Sequence, residues 1–530
     1  MHATAPSIAE QKGWTRYILP SVADLVFLVL LASLSTGVFA SRLLNDAGTG
    51  WHIRNGDLIL SAHAITRVDP FSSTMQGQNW YAWEWLYDVV IAMIHSWWGL
   101  NGLVFFTALI IAITFTLTFR LTLVRGGNLA ASVFLLLLSM GAAAVHFLAR
   151  PHVLSWLFVV LWFYILDSSE SNPSGGRRLF WLPLLMLIWV NVHSGFLTGF
   201  FLLGLYLLSS VGHRLLSHNP GRRQLAGKRL QRLGLITLLC LAASLVNPYG
   251  YKLHDHIHQY LGDGFLIDHI DEFLSPNFHG AAQQCFLILV LVTIVVLATV
   301  RTKLRSVELL VVIFAVVSGM YATRNLPVSS ILLTLMIAPL LGYRSAEDND
   351  VDPKRGDYAR GGIPYFQSLT LRMANMEHRL QGHLWPVIAV LAGVWICVHG
   401  GLLGHSQIIS ARFGEKRFPI EAVKVIHQRD ISGPFFVPDY WGGYLIYELY
   451  PQAKVVVDDR HDLYGAQFFK DYLKVVRVEP GWEEVLKKDN AGCVLMPPQS
   501  PLAGILSTQP DWSVEYRDEM AVLLRRKVGL

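Results

Sequence analysis

Charge is what this chain has least of. Only 15% of its 530 residues are Asp, Glu, Lys or Arg, against 53% that are hydrophobic. Soluble domains run nearer a quarter charged, so composition excludes an ordinary water-soluble fold and indicates a polytopic membrane protein. Cysteine is scarce too. Of the four, Cys240, Cys285 and Cys397 lie in apolar segments and Cys493 stands alone, which excludes a disulfide framework or a cysteine-type metal site. No glycine-rich phosphate loop follows a strand, so nucleotide binding is not indicated. No basic helix stands outside the membrane-flanking clusters, and a net charge of +5 is small for this length, so nucleic acid is not an expected partner. There is no internal repeat.

What the chain has in abundance is long apolar sequence. Segments able to cross a bilayer fall at roughly 20–40, 101–120, 128–147, 153–167, 179–192, 196–212, 233–247, 282–300, 306–320, 327–342 and 385–403. The start, 1–19, is polar with Lys12 and Arg16, and the run after it is too long for a cleaved signal, so it reads as a retained first span. A further stretch, 84–98, is apolar but short, and either crosses or lies in the interface.

Basic residues set the orientation. Arg214, Arg222, Arg223, Lys228, Arg229 and Arg232 crowd the linker 213–232, which the positive-inside rule makes cytoplasmic. Arg177-Arg178, the Arg301–Arg305 turn and the linker 343–384, with Lys354, Arg355, Arg360, Arg372 and Arg379, take the same side. If 84–98 does not cross, about eleven helices span. The N-terminus is then cytoplasmic, and the loop 41–100 and the region after 403 are extracytoplasmic. The domain 20–403 is thus a helical membrane domain, and 404–530 a small outer domain. Strand-like Phe435–Val437, Lys454–Val457, Cys493–Met496 and Ala521–Leu524 alternate there with helix-like Phe468–Val475 and Gly481–Lys488, an α/β pattern with Pro480 at a helix start.

The same parity gathers the polar motifs on the outer face. Asp46, His52, Asp57, Asp69 and Glu84 fall in the loop 41–100. A carboxylate just past a span can act as general base or bind a metal; it can also simply face water. Glu84, between Trp83 and Trp85, is placed for partial desolvation, which suits proton transfer. Arg150 and Arg324 are cations suited to a phosphate at headgroup level, unless they only snorkel. His193 reads equally as a hairpin histidine or a catalytic one. His254-Asp-His256-Ile-His258 reads as an amphipathic surface helix rather than a metal site. In the outer domain, Tyr444 and the run Asp458 to Gly465 read either as a sugar-binding cluster or as a self-satisfied ion-pair cluster.

Several motifs together carry a family resemblance. These are Asp46-x4-Trp51-His52-Ile53-x2-Gly56, Asp69-Pro70-Phe71-Ser72, Trp83-Glu84-Trp85-Leu86, Trp189-x-Asn191-x-His193-x-Gly195, Asn247-Pro248-Tyr249-Gly250, Gly442-Gly443-Tyr444-Leu445 and Asp459-Arg460-x-Asp462-Leu463-Tyr464-Gly465. The chain resembles the GT-C superfamily of integral-membrane glycosyltransferases over nearly its whole length, and within it a bacterial GT-C-like group. The resemblance implies transfer of a sugar from a polyprenyl-phosphate-linked donor to an envelope acceptor (glycan, lipid or protein) on the extracytoplasmic face of the bacterial inner membrane.

By position, Asp46 is the implied base or metal ligand. Glu84, His52 and Asp57 would assist, and Arg324 and Arg150 would steady the donor phosphate. Trp51, Asp69, His193, Tyr444 and Arg460 would line the substrate or acceptor region. The acidic pairs common in such enzymes are absent around Asp46-Ala47-Gly48, which leaves a divalent metal ion as an open question. The competing readings are a non-catalytic glycan-binding or assembly protein and, behind it, a transporter. A transporter places ionisable groups near the bilayer midplane, whereas these spans are almost free of charge.

Overall fold

The computed structural model describes residues 15–342 and 383–527, apart from Asn172 and Arg301, together with Glu377 and Leu380. Most of the N-terminal segment 1–19 and of the linker 343–384 therefore lies outside the described residues. The protein is a mostly helical membrane protein with a small sheet near its C-terminal end. All eleven apolar segments contain helix. Six helices among the described residues are long and apolar enough to cross a membrane, and Val22–Ser35, Ser306–Tyr321 and Leu384–Val398 are shorter apolar ones. The shortfall from eleven has local causes. The first segment breaks where Gly37 takes φ 59, and in 179–192 the helix proper is only Trp181–Trp189.

Contacts divide the chain into two units. The first comprises 1–33, 108–146 and 275–396. Its helices Leu129–Ala143, Ala281–Thr299, Ser306–Tyr321 and Leu326–Ile337 bury small and branched side chains against one another. Ser139 donates to Ser330 at 3.1 Å, and Arg125 pairs with Glu308. Arg324 belongs to this unit, in the 3-10 turn Thr323–Asn325.

The second unit comprises 34–107, 147–274 and 397–530. The loop 41–100 is largely helical. Helix α1, Gly48–Ala62, is followed by an extended stretch and then by α2, Trp85–Val124. The latter is broken at Gly99, with φ 59 and ψ −156, so 85–98 is a separate helix from the apolar run after it. A hairpin of β1 (Leu402–Leu403) and β2 (Ser406–Gln407) leads into the C-terminal region. There β3 (Phe435–Phe436), β4 (Cys493–Met496), β5 (Trp512–Arg517) and β6 (Val522–Arg526) form a sheet of order β3-β4-β6-β5. Helices α3 (Asp439–Leu449) and α4 (His461–Arg477) flank it.

Lys454–Val457 is not a full strand. Val455 makes single bridges to Phe435 and to Ser72, because two different segments share its two edges. Beside those bridges, Ser73 N–H and the Thr74 hydroxyl donate to the carbonyls of Val455 and Val456, fastening the loop 41–100 to the C-terminal region. Helix α1 also lies close on α3. A Cβ at Gly443 would overlap the Ala47 carbonyl, and one at Gly50 would overlap the Gly443 carbonyl, so glycine is required at this crossing.

The strongest fastening is ionic. Arg460 is 2% exposed and Asp69 1% exposed. Arg460 Nε and Nη2 donate to the two oxygens of Asp458 at 2.7 and 2.6 Å, and Nη1 meets Asp69 Oδ1 at 2.8 Å. The rings of Trp80, Phe71 and Trp51 enclose the guanidinium at 4.5, 5.2 and 5.9 Å. Burial by itself would raise the Asp69 carboxyl, but Arg460 and the Ser72 bonds outweigh it and hold Asp69 below the usual carboxylate range. Asp69 and Arg460 therefore do not line an acceptor surface, as expected from sequence; they form a buried pair. Tyr444, 2% exposed against Phe413 and Phe418, is likewise core.

Removing one member of such a pair leaves an uncompensated buried charge, at a cost of about 3–5 kcal/mol. Arg460→Ala should lower the melting temperature of the purified protein and expose 404–530 to protease. Replacing Asp69, Asp458 and Arg460 together by Asn, Asn and Met removes all three buried charges and should cost less than Arg460→Ala alone.

Candidate active site

Extended backbone alternates its side chains, so Asp458 and Arg460 share one face and Asp459 takes the other. Arg460 holds that alternation in place, and Asp459 meets the start of the first loop. Arg150 Nη1 donates to Asp46 Oδ1 at 2.7 Å and to Asp459 Oδ2 at 2.8 Å. The Trp51 indole N–H donates to Asp459 Oδ1 at 2.9 Å, and Gly48 N–H to Asp46 Oδ1 at 2.8 Å. One guanidinium nitrogen thus bridges two carboxylates from distant parts of the sequence. Its Nε and Nη2 donate to no protein group among the described residues, so one whole edge of the fork remains uncommitted. Burial raises the Asp459 carboxyl to about 6, with the Asp46 charge adding to the rise and Arg150 opposing it.

A second cluster stands beside the first. Glu84, its side chain 13% exposed, has Oε2 at 3.5 Å from His52 Nε2 and Oε1 at 3.7 Å from His193 Nε2. His52 Nδ1 lies 2.5 Å from Asp88 Oδ1, while Asn55 Nδ2 donates to Asp88 Oδ2 at 2.6 Å. His52 is fully buried and stacked on Trp51 at 3.6 Å. Burial first, then the charge of Arg150, pushes its imidazole well below the ordinary histidine value, so it is neutral at physiological pH.

Local hydrogen bonds fix the other imidazole. Gly195 N–H donates to His193 Nδ1 at 3.0 Å, and Ser155 Oγ lies 2.8 Å from the same atom while accepting the Trp189 indole N–H at 2.7 Å. Nδ1 is therefore an acceptor, and the His193 proton sits on Nε2, toward Glu84. Asn191 anchors this hairpin by accepting the Trp85 indole N–H at 2.8 Å and donating to the Val246 carbonyl at 2.9 Å. Tyr249 does the same below it, accepting Ala82 N–H and donating to the Thr66 carbonyl. The two clusters share one electrostatic neighbourhood, because Glu84 contributes to the stabilisation of the Arg150 charge.

Of the residues expected from sequence, Asp46, Arg150 and Trp51 meet in the first cluster and His52, Glu84 and His193 in the second. Asp57 joins neither. It sits further along α1 and pairs with Arg54, which itself donates to the Tyr447 carbonyl. His256 stacks on Tyr81 at 4.4 Å and faces Asp462 at 3.2 Å, as a residue of a surface helix. Sequence reasoning passed over Asp88, and took Asp459 only as one member of the run Asp458 to Gly465, without its link to Asp46 and Arg150. Asp88 follows Glu84 by one helical turn, a spacing that does place two groups on one face. For Asp459 the signal was the period-two alternation at a strand end.

The donor set does not fit a divalent ion. Arg150 already lies where a cation would bridge Asp46 and Asp459, and the protonated Nε2 of His193 has no lone pair to offer beside Glu84. Among the described residues no group of three or more His, Cys, Asp or Glu could hold a metal.

No protein-family model matches the chain. No curated protein matches it either. Solved structures do. The oligosaccharyltransferase of Archaeoglobus fulgidus in its apo form aligns over 89% of this chain and 68% of its own, with a TM-score of 0.52 and 10% identity. The same enzyme tethered to an acceptor peptide containing the NVT sequon aligns over the same shares, with a TM-score of 0.49 and 12% identity. The chain has the fold of the apo enzyme, an integral-membrane GT-C fold, as its motifs led us to expect.

A carboxyl raised in the folded state favours folding while protonated, and that contribution fades as pH rises through the folded value. For Asp459 the window runs from about 4 to about 6. Thermal melts of wild type and Asp459→Asn should therefore diverge in slope across this interval, with the variant lacking one component of the decline toward pH 6.

Proposed function

We propose that the protein is a membrane glycosyltransferase that moves a sugar from a polyprenyl-phosphate-linked donor to an envelope acceptor on the extracytoplasmic face of the bacterial inner membrane. The observation that carries this reading is the bridged Arg150. Both hydrogens of its Nη1 are spent on Asp46 and Asp459, which fix the plane of the guanidinium and direct the Nε–Nη2 edge elsewhere. That edge matches two oxygens of a phosphate in a bidentate pair. As the bond between the anomeric carbon and the phosphate oxygen breaks, charge develops on the phosphate, and a pre-aimed cation is most effective there.

The acceptor hydroxyl must lose a proton as it attacks. Asp46 Oδ2 and the Glu84 carboxylate are the oxygens this neighbourhood offers for it. Asp46 combines that opportunity with the alignment of Arg150, so its removal damages both functions. The fold of the archaeal enzyme agrees with such a reaction without specifying the sugar or the acceptor.

Deletion of the gene should remove one defined sugar from the envelope glycans or glycolipids, as read by mass spectrometry. Asp46→Asn at matched membrane abundance should fail to restore it, with transfer reduced by about 100-fold or more. Full restoration by Asp46→Asn would favour a glycan-binding or assembly protein instead.

A further inference from the structure

We propose that the hairpin joining helices Phe196–Leu216 and Pro220–Ser244 holds the headgroup phosphate of an anionic phospholipid, with Arg214 and Arg223 as its principal contacts. The proposal goes beyond the glycosyl-transfer reading and stands independently of it.

The hairpin lies at the far end of a span from the candidate active site. Helix Phe196–Leu216 begins directly after Gly195, whose N–H donates to His193. Its 21 residues rise about 30 Å, the thickness of the hydrocarbon core of a bilayer. The turn that follows therefore reaches the opposite headgroup region. Asn219 makes that turn sharp by accepting Gly221 N–H at 2.9 Å and Arg222 N–H at 3.2 Å, with Pro220 opening the next helix.

Charge around the turn is of one sign. No Asp or Glu occurs between Glu170 and Asp255, and Glu170 is engaged by Arg229. Arg214, Arg222, Arg223, Lys228 and Arg232 are exposed and meet no carboxylate among the described residues. Two of them are nevertheless drawn together. Arg214 Nη1 donates to the Arg223 carbonyl at 3.4 Å, and Arg223 Nε donates to the Arg214 carbonyl at 3.1 Å. Gly227 leaves room for this crossing, because a Cβ there would fall 2.6 Å from Arg214 Nη1. Each bond uses one N–H of a planar five-donor fork, so most donors stay available. Like charges held at one turn repel, and an anion between them reverses the sign of the interaction. A phosphate suits that position because its oxygens accept from both forks.

The surrounding side chains select a lipid as the source of that phosphate. Leu215, Leu216 and Leu225 fringe the same turn and are 70%, 79% and 67% exposed. A soluble anion would leave these leucines in water. A phospholipid covers them with acyl chain while its phosphate meets the arginines. The orienting effect of basic residues explains how many stand here, but it is indifferent to where their guanidiniums lie. The crossed pair is what marks a site.

The test is native mass spectrometry of the purified full-length protein, titrated with phosphatidylglycerol or with phosphatidylcholine. Wild type should bind phosphatidylglycerol at least about tenfold more tightly, and Arg214→Gln with Arg223→Gln should weaken that binding by about tenfold. Arg412→Gln with Lys416→Gln removes the same charge from the C-terminal region and should leave the preference intact. Equal binding of the two lipids by wild type would overturn the proposal, as would an equal loss in the control variant. Displacement of the lipid by equimolar inorganic phosphate would point to a soluble anion and overturn it too. So would a preference that emerges only when Glu347, Asp348, Asp350 and Asp352 are all neutralised, since the hairpin's partner would then be that acidic segment. If the Arg214 and Arg223 variant does not accumulate, hydrogen exchange of the wild type decides. Phosphatidylglycerol should protect peptides covering 213–232 more than phosphatidylcholine does, and protection confined to other segments would overturn the assignment.

Discussion

The buried Arg460 guanidinium is the constraint on which the geometry of the second unit depends. It binds Asp458 two residues before it and Asp69 in the first loop, inside a box of Trp80, Phe71 and Trp51. Burying a charge this deeply is costly unless opposite charge accompanies it, and here the two carboxylates that do so come from both segments. The loop 41–100 and the C-terminal region therefore order each other. Gly50 and Gly443 allow their helices to touch, and the bridges of Val455 complete the seam.

From that seam the chemistry follows by short steps. Arg460 and Asp458 occupy one face of an extended segment, so Asp459 emerges on the other and captures Arg150 together with Asp46. Trp51 belongs to both layers: its ring covers Arg460, its indole N–H binds Asp459, and its face stacks on His52. His52 in turn faces Glu84, whose far side is met by His193 from the Asn191-anchored hairpin. Arg150 with its two carboxylates and Glu84 with its two histidines are thus held by one continuous set of packed and hydrogen-bonded groups.

Much of this was legible in the sequence, and unevenly so. Long apolar runs state their secondary structure directly, because burial in lipid leaves helix as the way to satisfy the backbone. The motif residues Asp46, His52, Glu84, Arg150 and His193 stood out by their placement beside spans, and the structure brings them into two adjoining clusters. Which acid meets which cation was not legible, since Asp69 and Arg460, or Arg150 and Asp459, lie far apart in the chain. Asp69, Arg460 and Tyr444 consequently read as ligand groups when they are interior. Lys454–Val457 read as a strand from its β-branched run, yet its edges are divided between Phe435 and Ser72. Strand β5, with its polar, half-exposed alternation, gave no buried signal to find.

The central claim is that two carboxylates orient Arg150 so that its free edge receives the donor phosphate. Native mass spectrometry of the purified protein with polyprenyl phosphate, comparing wild type with Arg150→Lys, tests it most directly. Lysine keeps the charge and an ion pair to the carboxylates but has no second edge. The account predicts that wild type retains the lipid phosphate and that Arg150→Lys binds it at least about tenfold more weakly, since each tenfold is about 1.4 kcal/mol and a charged hydrogen bond is worth at least that. Equal binding by both proteins would contradict it.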